Sequence, residues 1–383
     1  MKRPRRQRAP DAAARPAFRW LTQPSRYARI APARARSALG LLALMLLVSL
    51  SALWSSPLST ARTETGQGPD RQRDVLLYES IVGALRHGGE YYAVTAEKLR
   101  QGNYPLRPFV TFRLPTLAVA QAHVPPVAIP VLLYLLATAT AFAWYRRLVQ
   151  ALRGWPARFA ALLLLAAGMI VFFQATLWPF HEIWAGLLVA LSLAIRRPGR
   201  WIDAAAIGLA AALIRETAAV YLLLMAAIAW REGARREALG WLFALALFAG
   251  ALGAHAIAVG KVVTALDAVS PGWSGMLGPG FFVTAIGAST ALMILPLALQ
   301  ALLIGLALFG WTAWRDPLAT RAAALLAAFL VLLALFARAD TFYWALMVAP
   351  FLLTGLAFAP DGLRDLFGAA LDRRRLRVQI VSR

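Results

Sequence analysis

The chain has 383 residues, of which 60% are hydrophobic, and a formal net charge of +22. Its apolar runs are longer than a soluble core requires, which excludes an ordinary soluble domain and indicates an integral membrane protein. The absence of cysteine excludes disulfides and thiolate chemistry. The four histidines lie far apart in the sequence. A divalent metal is therefore possible but not indicated, and no cofactor is predicted.

The first 37 residues are basic and rich in proline and alanine. Basic segments of this kind are attracted to a bilayer surface, so we expect a disordered cytoplasmic tail and no nucleic-acid partner. The apolar run from Ala38 to Trp54 follows and lacks a small-residue cleavage site. It predicts a retained first helix or signal anchor.

Ten apolar runs predict an all-α, polytopic transmembrane bundle. They cover residues 38–54, 127–145, 159–177, 183–195, 202–214, 217–230, 238–258, 284–310, 319–337 and 342–359. With the N-terminus in the cytoplasm, the inner segments carry almost all of the net positive charge, as the positive-inside rule requires. We therefore predict a multi-pass protein of the bacterial inner membrane. Its transmembrane domain spans residues 38–360, and both termini, including a basic tail at 361–383, are cytoplasmic.

The one long connection, residues 55–124, is predicted to be a partly helical first periplasmic loop. Its beginning, Ser55 to Arg73, is polar and is expected to form a mobile strap. Two amphipathic helices are predicted beyond it, over 74–87 and 90–101, with the second lying on the membrane surface.

Residues 202–230 are long enough for a single helix, but one helix here would invert every later loop and break the charge pattern. We therefore favour two segments of 13 or 14 residues, each about 20 Å long at 1.5 Å per residue, which is shorter than a bilayer core. Their junction, Ile214 to Thr217, is then expected in protein or beside a wet cavity. A later connection, Lys261 to Phe282, fits either a flexible lid or an interfacial loop with an aromatic belt.

The predicted outer side carries three polar pairs that interrupt the apolar sequence: His181 with Glu182, Arg215 with Glu216, and Arg338 with Asp340. Ionisable groups at a bilayer edge often mark a site. Arginine binds phosphate with two parallel hydrogen bonds, so Arg215 and Arg338 are candidates to bind a phosphate or diphosphate. Structural salt bridges are the alternative. The remaining members of the pairs are Glu216, Asp340, His181 and Glu182. The first two could orient the arginines, and His181-Glu182 could orient a sugar, assist proton transfer or cap a helix.

Acids of the first loop are candidates for a general base, because partial burial raises the pKa of a carboxylate. Asp74, Glu79 and Glu90 qualify. Glu90 sits where a helix is predicted to begin, so stabilisation of the helix dipole is its alternative role.

The stretch EYYAVTAEKLRQGNYP, residues 90–105, is followed by Arg107-Pro108 and by Arg113-Leu114-Pro115. It resembles the first outer loop of the GT-C superfamily of membrane glycosyltransferases. The resemblance implies a polyprenyl-phosphate sugar donor, an inverting transfer on the periplasmic face, and a first-loop acid as base. Glu90 takes the family's acidic position, and Tyr91, Tyr92 and Arg113 are expected to contact substrate.

The match departs from the family in one respect. Many members carry an acid soon after the first span, whereas Asp74 lies about 20 residues beyond it, so Asp74 or Glu79 could replace Glu90. The acceptor would be a lipid, a glycan or a protein. Two other functions stay open: a transporter or flippase of lipid-linked glycans, and a non-catalytic protein of envelope assembly. A transporter would need charged residues at mid-depth, and the sequence has few there.

Overall fold

The computed structural model of the chain describes residues 19–55 and 69–372, except for the side chains of residues 69–73. The described residues form helices and turns with only isolated β-bridges, so the predicted all-α class is confirmed. The α-helices are α1 Pro32–Leu50, α2 Pro69–Arg86, α3 Tyr91–Gln101, α4 Thr116–Ala122, α5 Ala128–Ala151, α6 Trp155–Met169, α7 His181–Ile195, α8 Ile202–Ile214, α9 Ala219–Arg231, α10 Arg235–Val262, α11 Pro279–Ala288, α12 Leu297–Ala313, α13 Pro317–Leu335, α14 Ala349–Leu352 and α15 Ala359–Leu371.

Five helical segments among the described residues are long and apolar enough to cross a membrane: Pro32–Trp54, Ala128–Ala151, Trp155–Phe173, Arg235–Val262 and Pro317–Leu335. A pair bent by 57°, Ala339–Met347 and Ala349–Ala357, makes a sixth if it is one broken span. Large apolar side chains such as Leu41, Leu44 and Leu47 on α1 are exposed. Surfaces of this kind suit a lipid bilayer.

Two of the ten predicted spans are interrupted. The run 284–310 divides into α11 and α12, separated by a turn in which Thr290 accepts a hydrogen bond from the Leu292 amide, and Pro296 precedes the second helix. The run 342–359 is divided among short 3-10 and α segments. Proline lacks the amide that a continuing helix needs, and a threonine hydroxyl competes for backbone groups.

The middle of the bundle is built from α7, α8 and α9, which have 15, 13 and 13 residues. The chain leaves α8 in an extended conformation at Arg215 (φ −140°, ψ 114°). It then turns back, as shown by Gly208 of α8, which packs on Tyr221 and Leu222 of α9. The preferred two-segment interpretation of 202–230 is therefore correct.

Helices α2, α3 and α4 form a layer over one end of the bundle, and α3 contacts α10 through Ala96, Leu99 and Val259. The predicted helices at 74–87 and 90–101 thus occur, although α2 already begins at Pro69. The rest of the predicted strap, residues 56–68, lies outside the described residues.

Ion pairs mark the opposite end of α7, and three of their four side chains are buried. Arg196 donates to both carboxylate oxygens of Glu237 at 2.8 and 2.6 Å, and Arg321 donates to Glu232 at 2.9 and 2.5 Å. The 15 residues of α7 separate this cluster from His181 and Glu182 by about 22 Å at 1.5 Å per residue.

The prediction of a disordered N-terminal tail is wrong for residues 19–36. The Leu21 amide donates to Asp361 at 2.6 Å, and the Ser25 hydroxyl donates to Asp365 at 2.9 Å. Both acids belong to α15, which lies within the predicted C-terminal tail and packs on α1 and α12. Residues 1–18 and 373–383 lie outside the described residues.

Candidate functional site

A cavity of about 570 Å³ opens at the end of the bundle covered by the first-loop layer. Its charged lining comes from separate parts of the chain: Asp74, Arg113, Arg215, Glu216, Arg338 and Asp340. Aromatic side chains supply much of the remaining wall: Tyr78, Tyr104, Phe180, Trp273, Phe342, Tyr343 and Trp344. The volume matches that of small-molecule sites, and apolar walls with a few polar groups are their usual composition.

The floor of the cavity holds a buried ion-pair network at the break between α8 and α9. Arg215 Nε donates to Glu182 Oε1 at 2.5 Å, and both side chains are 2% exposed. Arg215 Nη1 also pairs with Glu216. Glu182 itself does not line the cavity but lies behind Arg215. An extended residue between two short helices thus places a cation where a continuous helix would have none.

Arg113 completes this network from the segment that leads into α4. Its Nη2 and Nη1 atoms lie 3.8 Å from Glu182 and 3.7 Å from Glu216, which is within ion-pair range but beyond hydrogen-bond length. Within the described part of the chain, its side chain makes one hydrogen bond, from Nε to the Tyr78 hydroxyl at 3.2 Å. Tyr91 fixes the backbone by donating to the Arg113 carbonyl at 2.7 Å.

Tyr78 remains a neutral phenol in this setting. Burial raises the pKa of its hydroxyl above the usual value of about 10. Because the Tyr78 oxygen accepts from Arg113, its own proton can be donated to another group.

Arg338 is fixed by its surroundings. Nε and Nη2 donate to the two oxygens of Asp340 at 3.1 and 2.9 Å. Nη1 donates to Ser270 Oγ at 3.3 Å and to the Gly272 carbonyl at 3.4 Å. Asp340 therefore orients the Arg338 side chain, and the loop after α10 accepts the hydrogen bonds from Nη1.

The first-loop acids are not equivalent. Asp74 lines the cavity and accepts a hydrogen bond from the Tyr104 hydroxyl at 2.7 Å. Glu79 is half-buried on α2 and does not line it. Glu90 is exposed and caps α3, accepting from the amides of Tyr92 and Ala93 at 3.1 and 2.8 Å. The structure therefore places Glu90 in its alternative role at the helix start, and outside the cavity.

His181 also lies behind the cavity wall. It is 2% exposed, packs edge-on against Tyr78 at 4.9 Å between ring centroids, and borders a second cavity of about 20 Å³ together with Tyr91. Neither ring nitrogen has a hydrogen-bond partner among the described residues. Tyr92 points toward α10, where its hydroxyl is 3.3 Å from His255 Nδ1. The paired tyrosines thus support the cavity wall without lining the cavity.

The loop between α10 and α11 closes one side of the cavity. Arg100 donates to both oxygens of Asp267 at 2.7 Å, and these hydrogen bonds hold the pKa of that carboxyl well below its usual range. Trp273 lines the cavity beyond this anchor. Phe281 and Phe282 are fully buried, so they form no interfacial belt.

Several lining residues were not singled out from the sequence. Tyr78, Thr217 and Trp344 carry polar atoms at the cavity, and Tyr104 belongs to the Gly-Asn-Tyr-Pro turn without having been given a role. The available signal for Thr217 and Trp344 was their position in the sequence, because Thr217 directly follows Glu216 and Trp344 lies four residues after Asp340.

Among residues 19–55 and 69–372, no group of three His, Asp or Glu side chains comes together as a metal site. The site is therefore described by its arginines, carboxylates and aromatic rings. Comparisons with known protein families, curated proteins and solved structures find no match to this chain.

Proposed function

We propose that this protein is a membrane glycosyltransferase of GT-C type. It transfers a sugar from a polyprenyl-phosphate donor to a lipid, glycan or protein acceptor at the periplasmic face of a bacterial inner membrane. The observation that carries the proposal is the single cavity in which a first-loop carboxylate, Asp74, and three arginines meet. Proton abstraction and neutralisation of a leaving phosphate need those two kinds of group.

The lining of the cavity supports this substrate class. Aromatic rings such as Tyr343 and Trp344 offer flat apolar faces for a sugar, while their polar atoms can bond its hydroxyls. Val171 and Leu346 add apolar surface for the first part of a prenyl chain. The positive-inside pattern of the sequence supports an outward position for this end of the bundle.

The proposed reaction is a direct displacement. The acceptor hydroxyl oxygen attacks the anomeric carbon, and the bond from that carbon to the phosphate oxygen breaks with both electrons moving to the phosphate. The acceptor proton passes to Asp74. Because the acceptor oxygen attacks from the side opposite the leaving phosphate, the configuration at the anomeric carbon inverts. The role that the resemblance gave to Glu90 passes to Asp74, because Asp74 lines the cavity and Glu90 caps α3.

The test compares the two acids in proteoliposomes with a polyprenyl-phosphate sugar. We expect Asp74→Asn to lower kcat by about 10²- to 10⁴-fold, the usual contribution of a general base. Glu90→Gln should retain most of the activity, since it changes a helix cap. Loss of activity in Glu90→Gln together with an active Asp74→Asn would reverse the assignment.

The transporter alternative needs a polar path through the bundle. Between its charged ends, α7 contributes apolar residues and the buried Ser192, whose hydroxyl bonds Tyr221 and the Ala204 carbonyl. This segment offers no charged step at mid-depth, which favours the enzyme. Binding of the donor without any transfer to lipid, glycan or peptide acceptors would instead favour the flippase or the assembly protein.

A further inference from the structure

Three buried donors of cavity-lining residues have no hydrogen-bond partner among the described residues, and only one of them, Arg215 Nη1, has a carboxylate beside it in an ion pair. Trp344 is 7% exposed, and its indole Nε1 is buried without a hydrogen-bond acceptor among the described residues. The Thr217 hydroxyl is buried in the same condition, and both residues line the cavity. A buried donor without a partner is costly in a folded protein. Polar atoms of this kind therefore indicate a missing acceptor, such as a ligand oxygen or water.

The three arginines of the cavity differ in how much hydrogen-bonding capacity they retain. Arg215 is bonded to Glu182 and paired with Glu216. Arg338 uses Nε, Nη1 and Nη2 on Asp340 and the loop after α10. Arg113 uses only Nε, on Tyr78, and its Nη atoms stand 3.7 to 3.8 Å from the nearest carboxylates. Arg113 is thus the one of the three whose two terminal nitrogens both lie beyond hydrogen-bond length of the neighbouring carboxylates.

Arg113, Thr217 and Trp344 all line the same cavity, and the residues that precede Thr217 and Trp344 lie close to Arg113. Arg113 approaches Glu216, the residue before Thr217, to 3.7 Å. Tyr343, the residue before Trp344, is close enough to Arg113 and Arg215 to interact with both electrostatically. Thr217 also stands in the 3-10 turn that leads into α9, so the amino end of that helix faces the cavity. The positive end of a helix dipole favours an anion.

We propose that Arg113, Thr217 and Trp344 bind a phosphate-type oxyanion. Arg113 supplies the charge through Nη1 and Nη2, Thr217 supplies a hydroxyl donor, and Trp344 supplies an N–H donor. Arg215 and Arg338 are positioning residues: the first holds the chain break that presents Thr217, and the second holds the loop that carries Trp273. This division reverses the expectation from sequence, which gave the phosphate to Arg215 or Arg338.

The identity of the anion as the headgroup of a lipid donor rests on the proposed function. Anion binding itself does not, because it follows from donors that lack acceptors. Binding and transfer can therefore be measured separately, and each can fail without the other.

The experiment measures binding of a polyprenyl monophosphate to the full chain in nanodiscs, with the matching polyprenol as the uncharged comparison and inorganic phosphate as a second arm. Thr217→Val removes one donor and keeps the shape of the side chain, and Trp344→Phe removes the other and keeps an aromatic ring. A hydrogen bond to a charged group supports a loss of about tenfold in affinity for each variant. Arg113→Gln should weaken binding more than either, because it removes the charge.

Matched controls lie outside the cavity. Trp155→Phe changes an exposed tryptophan, and Arg158→Gln removes an arginine that bonds the Leu152 carbonyl. We expect both to bind the monophosphate within about threefold of the unchanged protein. Arg338→Gln, which removes a lining arginine whose nitrogens are already used, should weaken binding less than Arg113→Gln. Melting curves of each variant show that it is folded before its affinity is compared.

Tighter binding of the monophosphate than of the polyprenol, with losses at the three assigned residues and none in the two controls outside the cavity, supports the proposal. Binding of inorganic phosphate alone, with the same losses, also supports the oxyanion site but contradicts a lipid donor. Retention of full affinity in Thr217→Val and Trp344→Phe, or a larger loss in Arg338→Gln than in Arg113→Gln, overturns it. Absence of binding in both arms overturns it as well. Binding without sugar transfer leaves this site in place and contradicts only the proposed enzyme.

Discussion

Glu182 should be the most stability-sensitive charged residue of the cavity region. Its carboxylate is 2% exposed, receives a 2.5 Å hydrogen bond from Arg215 Nε, and lies 3.8 Å from Arg113. Glu182→Gln keeps the size of the side chain and removes its charge. Two arginine side chains, one of them fully buried, then share one carboxylate, Glu216, whose side chain is 24% exposed.

The expected cost follows from the burial of the pair. Removing one partner of a buried ion pair costs about 3–5 kcal/mol, because the other charge is left uncompensated. We expect a value of about 3 kcal/mol here, at the lower end, since Glu216 still faces Arg215 and the glutamine oxygen can still accept a hydrogen bond. Asp340→Asn is the matched control. That carboxylate pairs with Arg338 but is 50% exposed, so its loss should cost at most about 1 kcal/mol.

The free energy of unfolding can be measured by titrating SDS into mixed micelles and following tryptophan fluorescence, which the 13 tryptophans make strong. The double variant Glu182→Gln with Arg215→Gln should be less destabilised than the sum of the two single variants, by at least about 1 kcal/mol. Equal costs for Glu182→Gln and Asp340→Asn, or strict additivity in the double variant, would refute the reasoning that this pair is coupled and buried.

Two further predictions concern packing and the loop after α10. A Cβ atom on Gly310 would lie 1.8 Å from the backbone carbonyl oxygen of Gly355 in the facing 3-10 segment. Gly310→Ala should therefore destabilise the protein by about 1–3 kcal/mol in the same SDS titration. A Cβ atom on Gly250 would meet nothing within 4 Å, so Gly250→Ala should be neutral or slightly stabilising. The Arg100 hydrogen bonds lower the pKa of Asp267 in the folded state, so their stabilisation of the loop is complete above the unfolded pKa of about 3.9 and is lost as the pH falls below it. The protection factors of the loop amides, which correct for the intrinsic pH dependence of hydrogen exchange, should therefore fall on acidification below about pH 4. Arg100→Gln should show this low protection already at pH 6, and an unchanged pH profile of protection in the variant would contradict the link.

Hydropathy and charge placement predicted the break at Arg215 because they constrain it twice. A single helix over 202–230 would put basic residues on the wrong side, and a charged pair is a poor fit within a lipid-facing helix. Neither signal acts on residues 284–310, where the run is apolar on both sides of Ser289 and Thr290. There the break depends on hydroxyl and proline effects on the backbone, which a hydropathy window does not detect.

The site was harder to predict than the helices, for reasons of geometry. Consecutive residues on a helix differ by about 100° in direction, so the pair His181-Glu182 gave no indication of which side chain faces a cavity. Both prove to lie behind its wall. Glu90 illustrates a different problem, since the same carboxylate at a helix start suits a base and a cap, and only the tertiary position of α3 separates the two roles. Trp344 and Thr217 could be recognised only from the structure, in which their buried polar atoms have no hydrogen-bond partner among the described residues.

The packing of α1 has a consequence for the order in which the protein matures in the membrane. This helix is synthesised before its partners α11, α12 and α15, which come from the last third of the sequence, and Gly305 of α12 fits against Leu46 and Ser49. Chains of this size generally assemble in stages during synthesis. Helix α1 must therefore stay in the bilayer through its own hydrophobicity until α11, α12 and α15 have been synthesised. Truncation before α15 would leave α1 without one of its packing partners.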